Sequence, residues 1–302
     1  MTFVATLISN PAQPVLDERT LARARSLLAD AGAPVWLNPG IAADLPFTAP
    51  SENDHRVLAE RLRDALAGAP IDVVVQPTER RRKRLFLAAM DSTMIGQECI
   101  DELADFAGLK AHVAAITERA MRGEIAFAPA LRERVALLKG LSASVVDEVI
   151  AHRIALTPGA RTLVATMRAH GTHTCLVTGG FTLFSQKIAA MIGFDESRAN
   201  TLALDGDGKL TGEVVEPIFG RDGKLETLRA LTARLGLDPE ETLATDDGAN
   251  DIAMIEAAGL GVAFHAKPKV AEAAAARIDH GDLTALLYLQ GYRRADFATP
   301  DR

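Results

Sequence analysis

The sequence predicts an α/β protein in which a parallel sheet forms the core and a smaller βαββαβ unit precedes it. Short apolar runs bounded by turn residues recur along all 302 residues. Before residue 77 they follow the order strand, helix, strand, strand, helix, strand. From residue 85 onward, strands alternate with helical segments, which favours a parallel sheet with right-handed crossovers. One stretch at about 98–154 breaks this alternation because its pattern is almost wholly helical.

The composition is that of a globular chain. It contains 48% hydrophobic and 24% charged residues, which argues against disorder, and its length allows two or three cores. The net charge of -7 at pH 7 disfavours binding to nucleic acid, because such proteins concentrate positive charge on one face. We therefore expect a small molecule or a protein surface as the partner.

Several features predict a cytoplasmic location with no membrane partner. The first residues lack the basic segment of a secretion signal, and no apolar stretch approaches the ~18 residues that span a bilayer. Cys99 and Cys175 are the only cysteines, and both lie beside apolar residues. We therefore expect buried, unpaired thiols in a reducing compartment.

Residues 1–76 are predicted to form a ferredoxin-like module. The turn sequence Asn38-Pro39-Gly40 separates its second and third strands. The order of elements is similar to that of ACT-like domains, which accompany amino-acid enzymes. It is equally consistent with a regulatory module and with one that only stabilises the fold or forms a homodimer. The strands are predicted at 3–8, 35–37, 41–47 and 71–75, and the helices at 16–31 and from about residue 53.

Residues 77–84 are predicted to form a linker. It ends in five consecutive basic residues, Arg80, Arg81, Arg82, Lys83 and Arg84. Such a run can serve as a nuclear or nucleic-acid signal, but no second basic cluster accompanies it in this acidic chain. A solvated linker is the expected structure.

The core is predicted to occupy residues 85–302. The helical segment at about 98–154 follows its first strand, so we expect a helical cap inserted there. Residues 203–210 carry Asp-Gly turn signals between two short β runs and predict a hairpin. The core strands are predicted at 85–90, 173–177, 242–245 and 260–264.

Polar and small residues follow three of these strands, namely Asp91-Ser92-Thr93, Thr178-Gly179-Gly180 and Asp247-Gly248-Ala249-Asn250-Asp251, with Lys224 between the last two. In an open parallel sheet, such strand ends meet where ligands bind. Carboxylates suit a hard cation, glycines let backbone N–H groups approach a phosphate, and a lysine neutralises charge. Each motif alone is more often a helix cap or a turn. Together and in this order they predict a phosphate site.

The order of motifs resembles the haloacid dehalogenase (HAD) superfamily of aspartate-dependent phosphatases. The resemblance is closest to phosphoserine phosphatases and covers about 210 residues, from 85 to 292. Segments 90–102 and 131–135 are similar to the opening and the cap of those enzymes. The resemblance implies a HAD-like Rossmannoid core and Mg²⁺-dependent hydrolysis of O-phosphoserine to serine and phosphate, the last step of serine biosynthesis.

The resemblance also implies a role for each motif residue. Asp91 would be the general acid/base and would give its backbone carbonyl to Mg²⁺. Asp247 would be a second Mg²⁺ ligand, and Asp251 would orient Lys224 or the water ligands of the metal. The phosphoryl group would be held by Thr178, Gly179, Gly180, Lys224 and Asn250.

The cap would recognise the rest of the substrate. By the resemblance, Glu98 would face the ammonium group of phosphoserine, Arg134 its carboxylate, and Phe127 would close over it. The charges fit, because phosphoserine needs one negative and two positive partners, and arginine grips a carboxylate with two hydrogen bonds. Taken by spacing alone, Glu98 and Arg134 fit a solvated helix face.

Three positions depart from the family pattern. Ala89 occupies the position of the nucleophilic aspartate, and its methyl group can neither attack phosphorus nor bind a metal. Asp246 replaces a glycine, so it is an additional candidate metal ligand. Ala126 stands where relatives usually carry an aspartate, next to Phe127. We therefore expect a phosphatase with abolished or severely impaired turnover; the alternative is a non-catalytic protein that binds phosphoserine or serine and regulates a partner.

Overall fold

The computed structural model describes residues 2–48, 55–121, 124–248 and 252–300. It contains two compact units, each built from segments that are distant along the chain. The first comprises residues 1–87, 157–174 and 228–302, and the second comprises residues 88–156 and 175–227. The predicted division at residues 76 and 84 stays a prediction.

The N-terminal part of the first unit is the antiparallel βαββαβ module that the sequence predicts. Its sheet has the order β2-β3-β1-β4, with β1 antiparallel to both of its neighbours. Both helices contribute buried leucines to one apolar core beneath this sheet. The elements are β1 (Thr2–Ser9), α1 (Glu18–Arg25), β2 (Val35–Asn38), β3 (Ala42–Thr48), α2 (His55–Ala65) and β4 (Ile71–Pro77).

Helix α1 is shorter than the predicted helix at 16–31. It begins after Asp17, whose carboxylate accepts the Thr20 N–H at 2.7 Å and caps the helix. Beyond Arg25 the chain turns, and Asp30 adopts the left-handed conformation with φ of 49°. This turn lets the Gly32 N–H donate to the Pro46 carbonyl at 2.8 Å, so tertiary contact ends the helix before its periodicity does.

The core is a six-stranded sheet with the order β12-β11-β10-β5-β6-β7. The pairs β10–β11, β11–β12 and β6–β7 are parallel, and β5 and β10 are buried along their whole length. The four predicted core strands are confirmed, whereas β7 and β12 were not predicted. The strands are β5 (Leu85–Ala89), β6 (His173–Phe181), β7 (Glu196–Asn200), β10 (Thr242–Asp246), β11 (Leu260–Phe264) and β12 (Ala276–Ile278).

The second unit is rich in helices, as predicted for residues 98–154. In the described part of that range, α3 contacts α4 and α6, and α4 contacts α5. The predicted hairpin is also present, because β8 (Leu202–Leu204) pairs antiparallel with β9 (Leu210–Val214). The helices of this segment are α3 (Cys99–Phe106), α4 (Lys110–Met121), α5 (Phe127–Leu137) and α6 (Val145–Arg153).

Six further helices follow. Within the described ranges, no helix combines the length and the apolar character that crossing a bilayer requires. Cys99 and Cys175 are both buried thiols, as expected. The remaining helices are α7 (Ala160–Ala169), α8 (Thr182–Ile192), α9 (Arg221–Arg234), α10 (Ile252–Ala257), α11 (Pro268–Ala273) and α12 (Ala285–Tyr288).

The basic run at 80–84 is only partly solvated, so the expectation of a solvated linker is wrong for Arg81 and Lys83. Arg81 donates to both oxygens of the Asp44 carboxylate at 2.6 and 2.7 Å, and only 12% of its side chain is exposed. Lys83 is buried and donates to the Glu240 carbonyl at 2.7 Å. The run therefore joins the module to the rest of the first unit through paired charges, which pattern alone could not reveal.

Asp72 makes a second connection of this kind. This β4 residue is 1% exposed, and its carboxylate accepts the backbone N–H groups of Asp279, His280 and Gly281 at 2.7 to 3.2 Å. Three backbone donors that follow β12 thus depend on one side chain from the N-terminal module.

We expect Asp72→Ala to lower the free energy of unfolding by about 3 kcal/mol, because it leaves buried N–H groups without an acceptor. Asp64→Ala removes an exposed carboxylate from the same module and serves as the control, with an expected change below about 0.5 kcal/mol. Urea unfolding followed by circular dichroism measures both. Equal midpoints for the two variants would contradict the proposed connection.

Candidate active site

The Asp91 carboxylate lies just beyond the end of β5. The chain turns sharply through Met90–Met94, and Ser92 adopts a left-handed φ of 52° within that turn. One carboxylate oxygen of Asp91 accepts the Cys99 N–H at 2.8 Å, and the other accepts the Thr178 hydroxyl at 2.9 Å. Both oxygens are therefore held in a fixed direction, and the first of them caps α3.

The Thr178–Gly180 loop forms the end of β6, directly beside Asp91. The Thr178 side chain is buried, and its hydroxyl oxygen accepts the Gly180 N–H at 2.9 Å while donating to Asp91. A Cβ atom at Gly180 would lie 3.1 Å from that hydroxyl oxygen and 3.3 Å from Asp91 Oδ2. Glycine therefore allows the approach that the carboxylate and hydroxyl require.

Phe127 lies at the start of α5, and its ring contacts two glycines. A Cβ atom at Gly179 would lie 3.0 Å from Phe127 Cζ, and one at Gly220 would lie 3.1 Å from Phe127 Cε1. The ring is 40% exposed. The Phe127 side chain thus covers the loop that was predicted to bind phosphate. Glycine at position 179 leaves room for the ring, because a Cβ atom there would crowd it.

Glu98 is exposed and lies close to the same turn. Its Oε1 accepts the Ser92 hydroxyl at 2.6 Å. Ser92 was quoted in the motif without a role, and this bond gives it one, because the left-handed turn directs its hydroxyl toward Glu98. A carboxylate positioned in this way can accept from an ammonium group.

Arg134 is half-buried in α5 and lies near two carboxylates. Its guanidinium donates to the Ala130 carbonyl and to the Thr117 hydroxyl, both at 3.3 Å. Burial lowers the pKa of Arg134, and the charges of Asp101 and Glu98 oppose that shift. Burial likewise raises the pKa of Asp101, against the charge of Arg134. Asp101 was assigned no role from the sequence, although it lies three residues after Glu98 and such residues share a helix face.

Lys224 is 4% exposed and lies in the first turn of α9, where its N–H donates to the Gly220 carbonyl at 3.1 Å. Phe219, the residue before Gly220, is hydrogen-bonded to Asn200 at the end of β7. Asn200 donates to the carbonyls of Gly179 and Phe219, both at 2.8 Å, and accepts the Phe219 N–H at 2.7 Å. Sequence reasoning missed Asn200, because it follows no motif and lies on a strand that was not predicted.

Ala89 is the last residue of β5 and is 4% exposed. Its backbone is extended, with φ of -65° and ψ of 152°. A buried methyl group therefore stands two residues before Asp91, where the resemblance would place a carboxylate. Ala126 directly precedes α5 and contributes no side-chain cap to it.

Asp246 and Asp247 belong to the first unit. Asp246 is 2% exposed, and its Oδ1 accepts the N–H groups of Asp247 at 2.6 Å and of Gly248 at 2.9 Å. Burial, and next the charge of Asp246, raise the pKa of Asp247 to about 6, while Lys267 opposes the shift. Two adjacent carboxylates suit a hard divalent cation. In the described ranges, no three His, Cys, Asp or Glu side chains group closely enough to hold a metal ion; the predicted Asn250 and Asp251 lie outside those ranges.

Comparison with known proteins places this geometry in a family. The model of the haloacid dehalogenase-like hydrolases matches residues 86–256. The chain belongs to this family. A solved haloacid dehalogenase family hydrolase from Salmonella enterica serovar Typhi superposes with a TM-score of 0.85 at 29% identity, over 95% of this chain and 98% of that one. The predicted HAD-like α/β fold is therefore confirmed.

Two further proteins to which the chain is similar carry a functional name. The phosphoserine phosphatase of Streptomyces coelicolor is 44% identical over 265 residues, which cover 86% of this chain and 64% of that protein. This chain therefore spans less than two thirds of that relative's length. The structure of a phospho-aspartyl intermediate analogue of phosphoserine phosphatase is 40% identical, with a TM-score of 0.63, over 68% of this chain and 98% of that one.

The pKa of Asp247 offers a direct test of the Asp246 geometry. Asp246→Asn keeps an oxygen for the two N–H groups and removes the charge, so we expect the pKa of Asp247 to fall from about 6 yet stay above 3.8, because burial is the larger cause. Lys267→Gln should raise it. Carboxyl ¹³C shifts measured against pH without Mg²⁺ report both, and an unchanged titration in both variants would rule out the charge coupling.

Proposed function

We propose that the chain is a phosphoserine phosphatase scaffold that binds phosphoserine and whose hydrolytic turnover is abolished or severely reduced. One observation carries this proposal: a buried methyl group at Ala89 precedes an Asp91 carboxylate that is fully hydrogen-bonded to Cys99 and Thr178. The acid/base group is positioned and the attacking group is missing. The 44% identity to a relative named phosphoserine phosphatase supports the choice of substrate.

The missing carboxylate changes the reaction and not only its rate. With an aspartate at position 89, the carboxylate would attack phosphorus, the serine oxygen would leave with a proton from Asp91, and water would then release phosphate. With Ala89, no acyl phosphate can form there. Asp91 could only take a proton from a water that attacks phosphorus directly, which leaves the contribution of positioning and charge.

The resemblance assigns a magnesium ion to the carboxylate of Asp247 and the backbone carbonyl of Asp91, with Asp246 as an additional candidate. Each of these groups, taken by itself, offers the hard oxygen ligand that Mg²⁺ prefers. When bound, Mg²⁺ neutralises charge on the transferring phosphoryl group. The affinity would be weakened by the absence of a carboxylate at position 89. Asn250 would contact the phosphate, and Asp251 would orient Lys224 or the water ligands.

The cap residues would bind the amino-acid part of the substrate. Arg134 would accept the carboxylate, and its burial supports this role, because a half-buried guanidinium gains more from an anionic partner than an exposed one does. Glu98, directed by Ser92, would face the ammonium group. Phe127 would exclude water above Gly179.

A non-catalytic phosphoserine or serine sensor is the second candidate. The same observation favours it, because the hydrogen bond from Thr178 to Asp91 is present although position 89 carries only a buried methyl group. In this case the N-terminal module would transmit binding to a partner or form a homodimer. The two candidates predict the same ligand and differ in what Ala89→Asp achieves.

We expect Ala89→Asp to raise Mg²⁺-dependent phosphate release from phosphoserine by several orders of magnitude, since losing the nucleophile of a cooperating site costs on the order of 10⁶ in turnover. Ala126→Asp is the matched control, because it adds the same carboxylate outside the nucleophile position. It should not restore turnover. Phosphate release is followed colorimetrically for the parent chain and for both variants.

Failure of Ala89→Asp, alone and combined with Asp246→Gly, would favour the sensor if phosphoserine still binds by calorimetry. If neither binding nor hydrolysis is detected, both candidates are wrong. Hydrolysis by the parent chain at the rate of Ala89→Asp would refute the role given to Ala89.

Arg134→Met should weaken phosphoserine binding about 10- to 100-fold, because hydrogen bonds to a charged group contribute about 1.5–3 kcal/mol each. Phosphoethanolamine lacks the carboxylate, so its affinity should change little. Arg132→Met is the control on the same helix, since Arg132 is exposed and pairs with Glu216 at 2.5 Å. Titration calorimetry with both ligands decides whether Arg134 recognises a carboxylate; equal losses for both would contradict that role.

A further inference from the structure

The side chain of Asn200 links two loops of the second unit. It lies at the end of β7, opposite Phe181 of β6, and is 2% exposed. Its amide nitrogen donates to the carbonyls of Gly179 and Phe219, and its amide oxygen accepts the Phe219 N–H. Both N–H donors of the side chain are therefore used, and the orientation of the amide is defined by three partners.

The first partner determines the direction of a peptide bond in the Thr178–Gly180 loop. In a planar trans peptide, the carbonyl of one residue and the N–H of the next point in opposite directions. Because the Gly179 carbonyl points to Asn200, the Gly180 N–H points away from it, toward Thr178 Oγ1 at 2.9 Å. The Thr178 hydroxyl in turn donates to Asp91. A continuous chain of hydrogen bonds thus runs from Asn200 to the proposed acid/base group.

The other two partners fix the entry to α9. Asn200 satisfies both backbone polar groups of Phe219, whose ring packs so closely on Gly223 that a Cβ atom there would lie 2.7 Å from it. The next residue, Gly220, accepts the backbone N–H of Lys224 at 3.1 Å. The position of the first turn of α9, and of the buried Lys224 in it, therefore depends on the same amide.

We propose that Asn200 is a positioning residue that sets the Thr178–Gly180 loop and Lys224 at the separation needed to bind one phosphoryl group. This inference rests on the proposed function, since it assigns both segments to the phosphate. Asn200 does not touch the substrate in this account. It acts through the Gly179 peptide and through Phe219.

Two substitutions separate positioning from simple stabilisation of the fold. Asn200→Asp keeps the shape and the acceptor for the Phe219 N–H, but it removes both donors and places a carboxylate against two carbonyl oxygens. Serine is shorter and uncharged, so Asn200→Ser loses the bonds to the Gly179 and Phe219 carbonyls without adding that repulsion. Ser185→Ala is the control, because Ser185 is fully buried and its hydroxyl donates to Ser197 of the same strand at 3.4 Å.

The test measures the binding of phosphoserine, phosphoethanolamine, inorganic phosphate and serine to the full chain by titration calorimetry with Mg²⁺, alongside urea unfolding. We expect both Asn200 variants to weaken the three phosphate-bearing ligands in parallel by about 10- to 100-fold, as displacement of supporting groups commonly does. Serine binding should change little. Ser185→Ala should destabilise the fold and leave all four affinities unchanged.

Each outcome is decisive. If the parent chain binds none of the phosphate-bearing ligands, the proposed function fails and the role of Asn200 fails with it. If the parent binds them and the Asn200 variants bind equally well, only the positioning role is wrong. A parallel loss of serine affinity, or variants that both fail to fold, would show that Asn200 only stabilises the unit.

Discussion

The two hydrogen bonds to the Asp91 carboxylate are the constraint on which the second unit depends. They connect the end of β5 to the start of α3 through Cys99 and to the end of β6 through Thr178. A partly buried carboxylate is tolerated only when its oxygens are hydrogen-bonded, and the positive end of a helix favours it further. The bonds that stabilise this charge also orient it. The hydrogen bonds that the fold needs at Asp91 therefore also fix the direction of its carboxylate oxygens.

Ala89 shows that the end of β5 can be buried without a carboxylate at this position. A carboxylate at a buried strand end has to be paired or coordinated, and it lowers stability until it is. A methyl group in that place needs no polar partner, so the hydrogen bonds to Asp91 can form without a carboxylate at position 89. Active sites are commonly places where stability is lost for function. Ala89, buried at the end of β5, is a residue that the fold alone would prefer there.

The helical segment at about 98–154 brings together side chains of opposite charge. Arg134 lies near Asp101 and Glu98, and the burial of Arg134 and Asp101 disfavours the charged form of each. A zwitterion with one ammonium and one carboxylate would complement Glu98 and Arg134, because its two charges are opposite to theirs. The ring of Phe127 on Gly179 and Gly220 adds an apolar cover. The arrangement is therefore one of mixed charge beside an aromatic side chain rather than a single strong ion pair.

Apolar periodicity was sufficient to predict the buried strands and the helical segment, because burying a strand or one helix face leaves a repeat in the sequence itself. It was insufficient for β7, whose residues Glu196–Asn200 are largely polar, and for the end of α1, which a contact to Pro46 decides. The basic run at 80–84 was misinterpreted for the same reason. Its partners, such as Asp44 and Asp238, are remote in the chain, and no local pattern records them.

The sequence by itself determined which chemical groups are available: Asp91, Thr178 and Gly180 after apolar strands, Lys224 between the second and third motifs, and no carboxylate at position 89. Their order sufficed because strand ends in a parallel sheet converge whatever the loops between them do. Only the tertiary structure decided how these groups are held. The bond from Ser92 to Glu98 depends on the left-handed turn at Ser92, and the bonds from Asn200 to Gly179 and Phe219 depend on backbone directions that form when separate segments pack. Residue type sets what a side chain can do, but packing sets where it points.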